Sequence, residues 1–316
     1  MSFSAKVKSE VCRITNISKE EARSLLSAIM KVSGSISIGA NRKLSFKVTT
    51  ENPAIARLTF KMLKEHFKIH TRLIVRRSNS LKKNNVYMVI ITEEMGLRNF
   101  LVDIKVFDNK EEFISLNYTI PDELINTDLT RKAYIRGAFL GGGSISNPEK
   151  TYHLEFVTHN EKYANELSRV INTYGLNSKV IQRKSSYVIY IKESEQIVDI
   201  LNIIGAHSNL LYLENVRIMK EMRNNVNRLV NCETANLSKT VNAAVRQIES
   251  IRLIESEIGL QRLPQNLREV AELRVKYPDE SLKDLGMMLD PPVGKSGVNH
   301  RLRRIEKIAS ELKGSK

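Results

Sequence analysis

Ala28-Ile-Met-Lys-Val-Ser-Gly-Ser-Ile-Ser37 and Gly137-Ala-Phe-Leu-Gly-Gly-Gly-Ser-Ile-Ser146 end in the same tetrapeptide, 109 positions apart. Each stretch closes a helical pattern. Ala22, Leu25, Leu26, Ile29 and Met30 recur at helical spacing in the first, and Ala133, Tyr134, Gly137, Ala138 and Leu140 in the second. Downstream the two copies keep step. Strand patterns at 44–50 and 153–158 each run into Thr-x-Asn, at Thr50-Glu-Asn52 and Thr158-His-Asn160. A helix follows in each, over 53–67, with Pro53 at its start, and over 161–174. Two further strands come next, 72–77 and 86–92 in the first copy, 179–184 and 187–191 in the second. Short helices over 97–104 and 194–203 close the copies. One shared tetrapeptide is easily accidental; the tetrapeptide, the Thr-x-Asn and the element order together are not. The pattern predicts an α+β N-terminal domain over 1–214, built from two αββαββα repeats at about 1–120 and 121–214.

The 316 residues are 41% hydrophobic, enough for packed cores, and carry 50 Lys and Arg against 35 Asp and Glu, a net charge of +15. A chain this basic is expected to meet a polyanion. The charge is uneven: +10 over 1–120, −1 over 121–214 and +6 over 215–316. No run of about 18 apolar residues exists, and the N-terminal residues form no signal-peptide core, so no membrane partner is expected. Cys12 and Cys232 are too far apart to form a disulfide framework or a zinc spacing, and the six histidines are scattered. No metal or cofactor is expected, and the expected compartment is the reducing cytoplasm.

Residues 215–262 read as a helical connector with polar breaks at 224–227 and 231–236, followed by a helix over about 238–257. Beyond Leu263-Pro264, residues 263–316 read as an all-α helix-turn-helix domain. Its helices are predicted over 265–276, over 282–289 behind a Ser281-x-x-Asp284 cap, and over about 295–312. Gly286 supplies a small residue for close helix crossing. The last helix buries Val298, Leu302, Ile305, Ile308 and Ala309 and shows Lys295, Ser296, Asn299, His300, Arg301, Arg303, Arg304 and Lys307 on its other side. That is a recognition-helix arrangement, with Asn and Arg able to pair with base edges and the remaining cations able to hold phosphates. The expected partner is double-stranded DNA, found at the nucleoid.

The small-residue helices opening each half resemble the LAGLIDADG homing-endonuclease fold, the second match, Ile135-Arg-Gly-Ala-Phe-Leu-Gly-Gly-Gly143, being the stronger. The resemblance implies two motif helices packed at a pseudo-twofold axis, with Gly137, Gly141, Gly143, Ala28 and Ser33 leaving that contact unobstructed. It also implies two four-stranded sheets forming a saddle. Candidate phosphate contacts on that saddle are Arg42, Lys43, Lys47, Arg72, Arg76, Arg77, Lys82 and Lys83 in the first half, and Arg183 and Lys184 in the second. In the endonucleases a carboxylate precedes the last glycine of each motif and holds the catalytic metals. Here those positions are Ser33 and Gly142, and no acid lies within 24–37 or 131–146. No catalytic residue is therefore assigned, and the fold is expected to serve as a scaffold rather than an enzyme.

The stretch Ser281-Leu-Lys-Asp-Leu-Gly-Met-Met-Leu-Asp-Pro-Pro-Val-Gly-Lys-Ser-Gly-Val-Asn-His-Arg-Leu-Arg-Arg304 resembles the C-terminal signature of the WhiA family. Met1-Ser-Phe-Ser-Ala-Lys-Val-Lys-Ser-Glu10 and Asn231-Cys-Glu-Thr-Ala-Asn-Leu-Ser-Lys-Thr240 are similar to it as well. The family pairs a degenerate LAGLIDADG domain with a helix-turn-helix related to sigma-factor region 4. The resemblance implies a Gram-positive bacterial transcriptional regulator linked to cell division, chromosome organisation and, in spore formers, sporulation, with RNA polymerase or another regulator as a protein partner. In actinobacteria such proteins act with a WhiB-type iron–sulfur partner; this Lys-, Asn- and Ile-rich chain looks like a Firmicute member, so that partner is not carried over. The residues leave two other readings open: a nucleoid or RNA binder without sequence choice, and an endonuclease with displaced acids.

Overall fold

The computed structural model describes residues 1–39, 43–77, 85–108 and 116–314. The chain divides into two compact units, Met1–Lys220 and Glu221–Lys316.

The first unit opens with α1 (Phe3–Val11). The first repeat follows as α2 (Lys19–Ser33), β1 (Gly34–Ile38), β2 (Leu44–Thr50), α3 (Pro53–Phe67), β3 (Arg72–Arg77), β4 (Asn85–Thr92) and α4 (Leu97–Asp103). The second is α5 (Asp128–Gly142), β5 (Gly143–Ile145), β6 (Leu154–Thr158), α6 (Glu161–Asn172), β7 (Lys179–Arg183), β8 (Ser186–Ile191) and α7 (Ser194–Ile204). The repeated αββαββα order is thus present. Each repeat forms one antiparallel sheet, in the orders β1-β2-β4-β3 and β5-β6-β8-β7.

Local chemistry explains where the helices start. Ser18 and Glu21 cap α2 reciprocally, side chain to backbone in both directions. The repeated Thr-x-Asn is a strand-to-helix joint. The Asn52 N–H donates to the Thr50 hydroxyl at 3.1 Å, and the Asn52 carboxamide oxygen accepts from Ala54 at 2.9 Å as the cap of α3. Asn160 does the same with Thr158 and Tyr163, at 3.4 and 2.9 Å, for α6.

The helices α2 and α5 pack against each other at the centre of the unit. A methyl group at Gly137 would overlap the Leu25 carbonyl oxygen, and one at Gly141 would stand 3.0 Å from Val32 Cβ, so both glycines set the helix separation. Gly143 does not belong to this contact: it opens β5, and a methyl group there would overlap Phe139 of α5 rather than any residue of α2. Around the pair, Leu25, Leu26, Ile29, Phe46, Tyr134, Phe139, Phe156 and Tyr163 are buried in one core shared by both repeats.

The connector departs from the sequence reading. A single helix, α8 (His207–Glu257, 51 residues), runs through both predicted breaks. Asn and Thr weaken a helix by only a few tenths of a kcal/mol each, and no Gly or Pro lies between 207 and 257 to stop it. Leu213 joins the core of the first unit, while Ile251 and Ile254 join that of the second. There they pack with α9 (Gln265–Lys276), α10 (Leu282–Met287) and α11 (Lys295–Gly314), through Leu267, Val270, Leu285, Val298, Leu302 and Ile305. Among the described residues, no helix is long and apolar enough to cross a membrane.

Candidate nucleic-acid interface

In the second unit α10 and α11 form the helix-turn-helix. Ser281 caps α10, its hydroxyl accepting from the Asp284 N–H at 3.3 Å and donating to the Asp284 carboxylate at 2.6 Å. α10 ends at Met287, two residues short of the helix expected over 282–289, and the seven residues 288–294 then reach α11. The Val293 N–H donates to the Gly286 carbonyl at 2.8 Å, and a methyl group at Gly286 would overlap the Val293 carbonyl oxygen. The glycine therefore admits the backbone of the turn as well as the Val298 side chain.

α11 buries Val298, Leu302, Ile305 and Ala309. With 100° per residue, the direction opposite these four falls on Ser296, His300, Arg303 and Lys307, spaced four, three and four apart. All four are exposed, as are Lys295 and Arg304. Asn299 and Arg301 lie on opposite flanks and are half-buried. Arg301 Nη1 donates to the Asn266 carbonyl of α9 at 3.4 Å, so the structure holds this side chain against its own domain rather than in the outward row. Lys307 stands 3.9 Å from Glu311, too loose and exposed a pair to hold its ammonium back from another anion.

In the first unit each sheet has one face on the core and one turned away. On the first, Leu44, Phe46 and Val48 face inward, so the opposite face carries the cross-strand row Ser35, Lys47, Ile90, Arg72, with Ile74 and Arg76 further along β3. Arg77 alternates to the other side, and Lys43 is paired with Glu94 at 2.7 Å. Arg42, Lys82 and Lys83 lie outside the described residues. On the second sheet the matching row is Ser144, Glu155, Tyr190, Lys179. Glu155 replaces Lys47 there and accepts hydrogen bonds from Ser144 at 3.0 Å and His153 at 3.2 Å. Arg183 ends β7, and Lys184 follows in a left-handed turn, φ 56°.

The residues at the two acid positions do not fit a divalent cation. The Ser33 hydroxyl donates to the Ile29 carbonyl at 2.8 Å within its own helix. Gly142 has no room for any side chain, since a Cβ would stand 2.5 Å from both the Val157 carbonyl oxygen and Val32 Cγ1. Among the described residues, no group of three or more His, Cys, Asp or Glu converges as a metal site.

Arg274 escaped the sequence reading. It is 3% exposed, and its Nη1 donates to the carbonyls of Pro278 at 3.2 Å and Glu280 at 2.8 Å, holding the segment that leads into α10. Its spacing gave a usable signal: 267, 270, 271 and 274 lie on one helical face, of which Arg274 is the charged member.

Three family models match the chain: the WhiA N-terminal LAGLIDADG-like domain over residues 19–107, the WhiA LAGLIDADG-like domain over 131–223 and the WhiA C-terminal HTH domain over 226–309. The "Probable cell division protein WhiA" of Clostridium novyi is 71% identical over 313 residues, 99% of each chain. The protein of the same description in Clostridium beijerinckii is 69% identical over 316 residues, 100% of each. The crystal structure of full-length WhiA from Thermatoga maritima superposes with a TM-score of 0.60 at 26% identity, covering 98% of this chain and 99% of that one. With its two degenerate LAGLIDADG-like repeats and its helix-turn-helix unit, the chain belongs to the WhiA family.

Proposed function

We propose that this chain is a sequence-specific DNA-binding transcriptional regulator of cell division, acting at the nucleoid, and that it does not cut DNA. The observation that carries the reading is α11. Its apolar side is locked onto α9 and α10, while Ser296, His300, Arg303 and Lys307 form an outward row flanked by Lys295, Asn299 and Arg304. In a major groove such a row offers hydrogen-bonding side chains to base edges and cations to phosphates. Arg301, tied to Asn266, takes a phosphate-side position at most. We take residues 263–316 as the reader, 215–262 as the connector and 1–214 as a scaffold whose first sheet, through Lys47, Arg72 and Arg76, adds phosphate contacts.

The link to cell division comes from the description of the clostridial relatives; in a spore former it extends to sporulation. RNA polymerase or a second regulator is the protein partner such a role calls for. The absence of nuclease activity is supported by Ser33, whose hydroxyl is spent on its own helix, and by Gly142, which leaves no room for an acid.

Chromatin immunoprecipitation of the tagged full chain, beside the double variant His300→Ala/Arg303→Ala, tests the regulator reading. Sharp promoter peaks that vanish in the variant are expected. Broad coverage that survives would overturn base reading by α11 and favour a binder without sequence choice. Supercoiled plasmid is expected to stay intact with Mg²⁺ or Mn²⁺, and its linearisation would overturn the non-nuclease part.

A further inference from the structure

A cleft of about 990 Å³ opens in the first unit between α1, the start of α3 and the start of β4, away from the outward face of the sheet. Its volume lies within the range of small-molecule sites, on the order of 300–1,000 Å³. Four cations line it: Lys8 and Arg13 from α1 and the turn after it, and Arg57 and Lys61 from α3. Glu51 is the one carboxylate among the lining residues. Ser4, Ser9, Asn52 and Tyr87 add hydrogen-bonding groups to the lining.

The cations are not consumed by the fold. Arg13 and Arg57 are exposed and make no ion pair among the described residues. Lys61 approaches Glu65 only at 3.9 Å. Lys8 is further set back. Its ammonium donates to the Leu140 carbonyl at the end of α5, 3.3 Å away, and lies 5.7 Å from the centre of the Phe139 ring. No carboxylate stands against it, and burial pulls its pKa down to about 8. An ammonium buried this way is a cost to the empty protein that a bound anion would offset. The start of α3 adds a weaker contribution of the same sign, Asn52, Pro53 and Ala54 lying on the wall.

The pseudo-twofold mate of this place is built differently. At the offset relating the two Thr-x-Asn motifs, Arg57 corresponds to Asn165 and Leu58 to Glu166. Glu166 accepts a hydrogen bond from the Ile120 N–H, so a segment of the inter-repeat chain lies against α6. Lys61 corresponds to Arg169, so one cation is kept, but the second repeat lacks the Arg57 guanidinium and has beside that place an acid bound to backbone.

We infer that this cleft binds a phosphate-bearing small molecule, with Arg13 and Arg57 gripping the phosphates at its mouth and Lys8 set deeper. The regulator would then carry a small-molecule input on the face of its scaffold domain turned away from the saddle.

The test is calorimetric titration of the full chain, at low salt, with ATP and separately with inorganic tripolyphosphate. Binding of at least one at about 1 mM or tighter is expected. Arg57→Ala is expected to weaken it by about tenfold, the loss of one charge-assisted contact. Lys64→Ala, which removes an exposed cation of the same helix outside the cleft, is expected to change it by less than about twofold. Thermal melting confirms that both variants fold, and both remove surface side chains only. ATP binding more tightly than tripolyphosphate would mean that the nucleoside is also held; equal binding would mean that the phosphate chain alone is read. Either result supports the inference. Failure of both probes to bind would overturn it. So would equal losses in Arg57→Ala and Lys64→Ala, which would reduce the cleft to general surface charge, or displacement of the probe by a short DNA duplex at the same potency in both the wild type and His300→Ala/Arg303→Ala. In that last case the cleft would be part of a DNA footprint independent of α11.

Discussion

The two repeats share a fold and differ in several of the side chains they expose. At equivalent places on the outward face, the first sheet carries Lys47 and Arg72, and the second Glu155 and Lys179. At the ends of the motif helices, the first has Ser33 with its hydroxyl tied to Ile29, and the second has Gly142 pressed against Val157 and Val32. The internal helix contact is uneven too: Ala28 of α2 faces Gly137 of α5. The pseudo-symmetry is a packing solution. One core satisfies both halves, and the surfaces were left free to diverge because surface side chains contribute little to the fold.

The largest expected effect lies in the helix contact. Gly137→Ala pushes a methyl group into the Leu25 carbonyl oxygen, which only a shift of α5 against α2 can relieve, and should cost about 3 kcal/mol. Ala28→Gly, its mirror, should cost only about 1 kcal/mol through helix propensity. Urea melts of the two variants check this, and similar losses would show that the contact is symmetric after all.

The same comparison at the acid positions predicts the next effect. Gly142→Asp should cost about 2 kcal/mol or more, because its Cβ meets the Val157 carbonyl oxygen and Val32 Cγ1 at 2.5 Å. Ser33→Asp replaces a half-exposed side chain and should cost below about 1 kcal/mol. The doubly substituted chain should remain without Mg²⁺-dependent cleavage, since its acids would come with a displaced helix. Plasmid linearisation by that chain would show that the metal site is only two side chains away.

Much of this was legible in the residues. The repeat could be read because its signals are local: Thr-x-Asn is a hydrogen-bonded joint that recurs wherever the same strand runs into the same helix. The two polar stretches within α8, 224–227 and 231–236, resemble loop signals, yet without Gly or Pro the helix continues through both. On α11 the outward row was contained in the spacing of Val298, Leu302, Ile305 and Ala309, whereas the tie from Arg301 to Asn266 joins residues 35 apart and only the folded domain reveals it. Glu155 stands opposite the Lys47 position by the same offset that aligns the Thr-x-Asn motifs, but its bonds to Ser144 and His153 depend on strand register. The cleft beside α1 could not be read at all, because only tertiary packing brings Lys8 and Arg57 to one cleft and Lys8 to the Leu140 carbonyl.

Charge exchange between the sheets tests whether the divergence matters for DNA. If the first sheet adds phosphate contacts, Lys47→Glu should weaken duplex binding by about threefold to tenfold and flatten the salt dependence by about one counterion. Glu155→Lys should do the reverse, provided that losing its bonds to Ser144 and His153 leaves the strand in register. Salt titrations of both variants with a nonspecific duplex measure the slopes. Two unchanged slopes would take the saddle out of DNA binding and leave the whole interface to α11.

The smallest expected effect concerns α1, which precedes the first repeat and has no counterpart before the second among the described residues. The Glu10 carboxylate accepts the backbone N–H groups of Ser208 and Asn209 and the Asn209 side chain, and so caps the start of α8 from a different helix. Burial alone would raise its pKa, but these hydrogen bonds outweigh burial and hold it below the ordinary carboxylate value. A depressed folded pKa means that the unfolded chain takes up the proton first on acidification. The stabilisation is therefore present above the ordinary carboxylate pKa and is lost as the pH falls through the lower, folded one. Glu10→Gln should cost about 0.5–1 kcal/mol at pH 7, modest because the group is partly exposed, and the gap to the wild type should close on acidification. Melting temperatures across that range measure it. A gap that persisted at low pH would show that the carboxamide fails through geometry rather than charge, and that α1 holds α8 by shape alone.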